Sequence, residues 1–227
     1  MPAAANPTLN PRKSPLQARS IASVDAIMQA TVQVLLRHGK QRFTTTLVAA
    51  RAGVSVGTLY QYFPNKSALL QAALRLHLEH VTSEVERVCL AQHGKPLRES
   101  ITALVTTFLA AKMRDPEAST AFYSVSADVD GARISQQNST RSSKAIVEML
   151  STAPENLTTT PETVAFMLQS IMVGVSRRVL EHPSPTTQLE TVRHELITAS
   201  LAYVEACTIP RPNEGIRPQH VSLTSKK

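Results

Sequence analysis

Residues 52–66 read AGVSVGTLYQYFPNK and place Tyr60, Tyr62 and Phe63 within four positions, in a chain with four Tyr, five Phe and no Trp. Three rings so close cannot all face one core. Gly53 lacks the Cβ that opposes a left-handed turn, Ser55 can cap a short helix, and Pro64 ends that helix near Phe63. At helical spacing Leu59 and Phe63 fall on one face. There they can pack against Val48 and Ala52 of a preceding helix that Thr44 caps over about residues 45–52, with Ala49 small enough to let the two helices approach. Tyr60 and Tyr62 then lie off the inner face, each offering an apolar ring and a hydroxyl. Gly57 leaves the helix backbone approachable from outside.

Outward from this stretch the chain reads as all-α, because apolar residues recur at spacings of three and four rather than two. A first helix is expected over about 20–38, with Val24, Ile27, Met28, Thr31 and Leu35 on one face and Gly39 as its stop. Asn65 caps a long helix to about Leu90 whose stripe, Leu70, Leu74, Leu78, Val81, Val85 and Val88, spans about five turns. Gly94 and Pro96 break it. Further helices are expected at about 97–114, 117–127, 132–151, 161–182 and 186–207. Thr160-Pro161-Glu162 starts the fourth of these, Pro183 stops it, and Thr187-Gln188-Leu189-Glu190 fits a capping box for the fifth. Pro-rich residues 1–18 read as a disordered basic arm and 208–227 as a disordered tail.

Two short helices joined by a turn at Gly53 make a helix-turn-helix, whose second helix has the dimensions to enter the DNA major groove. Charge agrees. Net charge is +7, yet residues 1–77 alone carry +8 (nine Lys/Arg against Asp25) and residues 78–227 carry −1. A one-sided basic segment attracts a polyanion by counterion release.

The run TTTLVAARAGVSVGTLYQYFPNKSALL, residues 44–70, resembles the DNA-binding signature of the TetR family of transcriptional regulators, and the match extends over about 19–75. The resemblance implies phosphate contacts from Thr45, Tyr62 and Lys66, with Thr46 beside them. It places Ser55, Val56, Gly57, Thr58, Tyr60 and Gln61 against base edges or nearby backbone, and leaves Arg12, Lys13 and Arg19 as contacts from the arm. Gln61 can pair with the N6/N7 edge of adenine, whereas Val56 can only touch a thymine methyl. The implied architecture is a three-helix DNA-binding domain (19–65) followed by a helical ligand-binding and dimerisation domain (66–207). The implied function is a homodimeric repressor on an inverted-repeat operator, released by a small apolar or amphipathic effector. The alternatives are an activator, and a C-terminal domain that binds a protein partner or no ligand.

The stripe Val164, Leu168, Ile171, Val175 and Val179, with Leu189, Val192, Leu196 and Tyr203 in the next helix, suits a four-helix dimer bundle, though intramolecular core is the competing reading. Phe108, Met113, Phe122, Tyr123, Phe166, Met167 and Met172 are candidates for an apolar cavity wall, and Arg177 for an anion contact. Other functions fit less well. There is no phosphate-binding glycine loop, nucleophile elbow or paired carboxylate set, so an enzyme is not expected. No cofactor is called for. Cys89 and Cys207 read as free buried thiols, and no Cys/His spacing suits a metal. No apolar run approaches the roughly 18–20 uncharged residues of a membrane span, and no signal-peptide pattern opens the chain, so a cytoplasmic location is expected.

Overall fold

The computed structural model describes residues 18–182 and 188–209. Most of the expected arm and tail, Pro183, Thr187 and the proposed arm contacts Arg12, Lys13 and the side chain of Arg19 lie outside the described positions. Within them the chain forms nine α-helices: α1 (Ala18–Arg42), α2 (Thr45–Ala52), α3 (Val56–Tyr62), α4 (Lys66–Ala91), α5 (Leu97–Lys112), α6 (Pro116–Ser126), α7 (Gly131–Ser151), α8 (Pro161–Leu180) and α9 (Leu189–Ala206). The one bridge outside helices among these residues joins Leu157 to Thr208.

The local chemistry sets the boundaries. Gly39 takes φ 64° and kinks α1 where the sequence placed a stop, after which the helix resumes to Arg42. Thr44, Ser55, Asn65 and Thr160 each accept a backbone N–H in the first turn of the helix they precede, satisfying donors that have no intrahelical partner. Asp115 does the same for α6, accepting from the Ala118 amide at 2.8 Å. Helix α9 starts at Leu189 with Gln188 before it and no side-chain cap bond.

Two apolar clusters hold these helices, and α4 belongs to both. Ile27, Val34 and Leu35 of α1 meet Val48, Ala49, Leu59, Phe63, Leu69, Leu70 and Leu74 in the first, which also takes Phe122, Val125, Val129 and Ile134 from α6 and its connection into α7. Val81, Val85 and Val88 of the same long helix belong to the second, with Ile101, Leu104, Ile146, Met149, Val164, Leu168 and Leu196. Burying a side chain of this size contributes about 1.5–3 kcal/mol. The stripe read along α4 is therefore shared, its first turns serving one core and its later turns the other.

Polar contacts fix how α4 meets the helices around it. The buried Gln71 amide donates to the Val129 carbonyl at 3.0 Å, pinning the α6–α7 link. Asp130 in that link takes φ 57°, and a Cβ on Gly131 would lie 2.0 Å from Ser126 Oγ, so only glycine fits there. On the surface Arg141 of α7 forks between Glu79 at 2.6 Å and Glu86 at 2.7 Å, which lie about two turns apart on α4. Its hydrogen bond holds Glu79 below the usual carboxylate range. Cys89 is a buried free thiol pushed up to about 12 by its burial.

Against expectation, α8 is long and apolar enough to cross a membrane by length and composition alone, with a mean hydropathy of 1.2 and 33% of the stretch buried. Only Glu162 at its start and Arg177 and Arg178 at its end interrupt it. The sequence reading required an uncharged run, and those terminal charges hid the apolar middle.

His77 of α4 packs against α6, its Nε2 3.1 Å from Ser119 Oγ and its ring 5.1 Å from the centre of Phe122. Burial, reinforced by Lys112 and His80 and opposed by Asp115, lowers its pKa from 6.5 to about 4. Between these values the unfolded chain binds the proton and the folded chain does not, so stability falls as pH drops from about 6.5 to about 4. The loss should approach about 2–3 kcal/mol. Guanidinium unfolding at pH 7.5 and pH 4.5 measures it, and His77→Gln should flatten that difference; an unchanged difference would remove His77 as its source.

Candidate nucleic-acid interface and ligand cavity

The α2–turn–α3 unit is held from within by Val48, Ala49, Leu59 and Phe63, which are at most 3% exposed. Gly53 makes the turn at φ 68°, ψ 27°, its N–H reaching back to the Ala49 and Ala50 carbonyls. Ser55 Oγ accepts the Thr58 amide at 3.0 Å and lies 2.8 Å from Thr58 Oγ1. Arg51 Nε donates to Gln33 Oε1 at 2.6 Å, tying α2 to α1.

This packing resolves the three aromatic residues. Phe63 is core, Tyr62 is half-buried with its ring 6.5 Å from that of Phe63, and Tyr60 is 39% exposed. Thr46, Ser55, Gly57, Gln61 and Lys66 are exposed around it, and Val56 and Thr58 are partly so. A Cβ on Gly57 would meet only Ser55 Oγ, at an ordinary 3.7 Å, so the space beside Gly57 is open on the protein's side.

Two of the expected phosphate ligands have partners within the chain. Thr45 is nearly buried, with its hydroxyl 3.0 Å from Tyr60 OH. One O–H donates within that pair and the other stays available, so Thr45 and Tyr60 can offer one proton outward between them. Lys66 Nζ donates to the Lys40 carbonyl at 3.3 Å and sits 5.5 Å above the Phe43 ring, which orients the ammonium while leaving two further donors. Lys40 itself is ion-paired to Asp128 at 2.7 Å.

The expected cavity residues do not converge on one wall. Phe108, Tyr123 and Met172 line a cavity of about 350 Å³ with Val81 and Val85 of α4, Ile146 of α7 and Lys112 of α5. Phe122 instead lines a separate cavity of about 450 Å³ between α1, α4 and α6, beside His77 and Arg114. Met113 packs with Leu109 and Leu180. Phe166 and Met167 are corrected to the outside of α8, 64% and 37% exposed. Arg177 is exposed and paired to Glu181 at 3.0 Å. The α8 stripe divides similarly, with Val164 and Leu168 fully buried in the chain's own core and Ile171, Val175 and Val179 only half covered. Met and aromatic content marks apolar surface but not which way it faces. Lys112, which the sequence reading passed over, lies on the cavity wall; a lysine in the last helical turn ordinarily answers the helix dipole, and only its burial sets it apart.

Comparison with known proteins agrees with this architecture. Residues 27–73 match the family described as bacterial regulatory proteins, tetR family. Residues 96–203 match the tetracyclin repressor-like C-terminal domain. The transcriptional repressor KstR of Mycolicibacterium smegmatis is 36% identical over 90 residues, 40% of this chain and 43% of KstR. The chain thus spans less than half the length of the curated relatives it matches. The structure of SmeT, repressor of the Stenotrophomonas maltophilia multidrug efflux pump SmeDEF, superposes with a TM-score of 0.62 at 20% identity, covering 81% of this chain and 91% of SmeT. A TetR transcription regulator from Haloarcula marismortui gives 0.63 at 21% identity, covering 82% and 98%. With both halves of its helical core matched by models of one family and the same fold in solved members, the chain belongs to the TetR family of bacterial regulators.

Proposed function

We propose that the protein is a homodimeric, sequence-specific DNA-binding repressor of transcription, acting in the cytoplasm and released from an inverted-repeat operator by a small amphipathic molecule. The observation that carries this reading is the outward face of α3. Gly57, Tyr60 and Gln61 are exposed there on a capped helix whose other side is core, in the segment that holds all of the chain's excess positive charge. The naming of KstR and SmeT as repressors supports repression over activation.

The dimer reading rests on α8. Phe166, Met167 and Val173 are 64%, 37% and 49% exposed, and Ile171, Val175 and Val179 are half-covered beside them. A second copy of α8 and α9 can bury this strip as a four-helix bundle. Two copies of α3 related by a two-fold axis then face successive major-groove turns about 34 Å apart, which calls for matched half-sites. The cavity under Phe108 and Met172 borders Val81 and Val85 on α4, whose other end carries Lys66. A ligand that prefers one tilt of that helix changes operator affinity by its unequal affinity for the two states.

Three variants test these parts, on an operator selected from genomic DNA. Gly57→Ala adds helix propensity of up to about 1 kcal/mol and meets no bad contact, so Tm should hold or rise while operator affinity falls about tenfold or more. Unchanged affinity would mean that DNA does not approach α3 at Gly57. Lys66→Ala should weaken binding to all sequences alike and reduce the slope of log K against log salt by about one. A changed base preference with an intact slope would contradict a phosphate role. Joint replacement of Phe166 and Val173 by Glu should give a folded monomer in sedimentation and abolish paired half-site footprints, and a persisting dimer would move the interface elsewhere.

A further inference from the structure

The cavity bordered by α4, α5, α7 and α8 carries one unmatched charge. Lys112 is 8% exposed, and it is the only charged residue among the described residues lining that space. Side chains of this type are almost never fully buried unless paired. Among the described residues no carboxylate lies within ion-pairing distance of its Nζ. Its recorded partner is the Tyr123 ring, 5.1 Å from the nitrogen to the ring centre, a contact that offsets only part of the cost of removing an ammonium from water. The same ring carries Arg177 at 5.7 Å, but that guanidinium is off the cavity wall and already paired to Glu181 at 3.0 Å.

Several of the other polar groups on the wall are already engaged within the protein. Thr82 Oγ1 donates to Asn138 Oδ1 at 2.8 Å, Gln169 Nε2 to the Ser139 carbonyl at 3.0 Å, and Ser176 Oγ to the Val173 carbonyl at 3.0 Å. Ser135, Gln136 and Ser142 add uncharged polar groups, and the apolar surface is supplied by Val81, Val85, Phe108, Ile146 and Met172. At about 350 Å³ the space falls within the range of small-molecule sites.

We propose that this cavity binds an amphipathic carboxylate, its anionic head paired with Lys112 and its apolar chain laid along Val81, Val85, Phe108 and Met172. The assignment rests on reading the cavity as the effector site and adds the ligand's charge and the residue that reads it. A single ammonium with no second cation on the wall matches one negative charge. A phosphate monoester would bring close to two, the second without a partner. A neutral amphiphile would leave Lys112 buried without a counterion, at the cost of the charged hydrogen bond that a carboxylate forms.

Isothermal titration of the full chain without DNA tests this, using decanoate, 1-decanol and decyl phosphate below their micelle concentrations. Decanoate should bind about tenfold or more tighter than either of the others, the size of one charge-assisted hydrogen bond. Lys112→Met, close in volume and apolar, should remove that preference while leaving 1-decanol within about threefold, and Lys112→Arg should keep it. Equal binding of decanoate and 1-decanol by the unmodified protein, no binding of decanoate, or an unchanged preference in Lys112→Met would each overturn the proposal. If Lys112→Met does not fold, the three-ligand comparison on the unmodified protein still decides. Operator titrations separate the two readings: decanoate that binds through Lys112 without altering DNA affinity refutes effector release and leaves the site standing. Release by 1-decanol but not by decanoate refutes the carboxylate assignment and leaves release standing.

Discussion

Leu59 and Phe63, four residues apart, fill the space that Ala49 leaves between α2 and α3, and every outward residue of the second helix takes its direction from that burial. With 100° between successive residues, sinking Leu59 turns Tyr60 and Gln61 to the far side and leaves Gly57 open. Because Ala49 is only 1% exposed, a larger residue there would push the helices apart and rotate the whole outward set. The outward geometry of α3 is thus a by-product of core packing, which is why a run of apolar spacings could be read as a candidate surface for a polyanion.

Much of the fold was legible because its determinants are local. Thr44, Ser55, Asn65 and Thr160 are short polar side chains directly before apolar periodic runs, and each caps a helix in the structure. The kink at Gly39 and the left-handed turn at Gly53 follow from the missing Cβ. What the sequence did not disclose are contacts made at long range. Nothing near Phe122 indicates that α6 packs on α1 and α4, or that Gln71 is buried to hold a carbonyl far along the chain.

The cavity was the least legible part for the same reason. Phe108 and Met172 line it while Phe166 and Met167 face outward, although all four are large apolar residues in helices of similar pattern. A helix such as α8 has apolar residues on several sides, and which side closes on the core depends on neighbours that lie far away in sequence. The Thr45–Tyr60 hydrogen bond shows the same limit on a smaller scale. Each residue was readable as a DNA ligand, and their mutual use of hydroxyls appears only once α2 and α3 are packed together.

The two apolar clusters alternate along the chain. Residues 27–74 and 118–134 serve one, while 81–111 and 146–207 serve the other. No single cut can therefore divide this polypeptide into two self-sufficient pieces. A fragment ending near residue 65 would bare Leu35 and Phe63 where α4 should cover them, and one ending near residue 80 would still lack Phe122, Val125 and Ile134. Chimeras that graft the first helices onto another regulator's body would have to carry over a matching α6 as well. The C-terminal helices cannot diverge freely in α6, because one face of it is already committed to the core of the N-terminal helices.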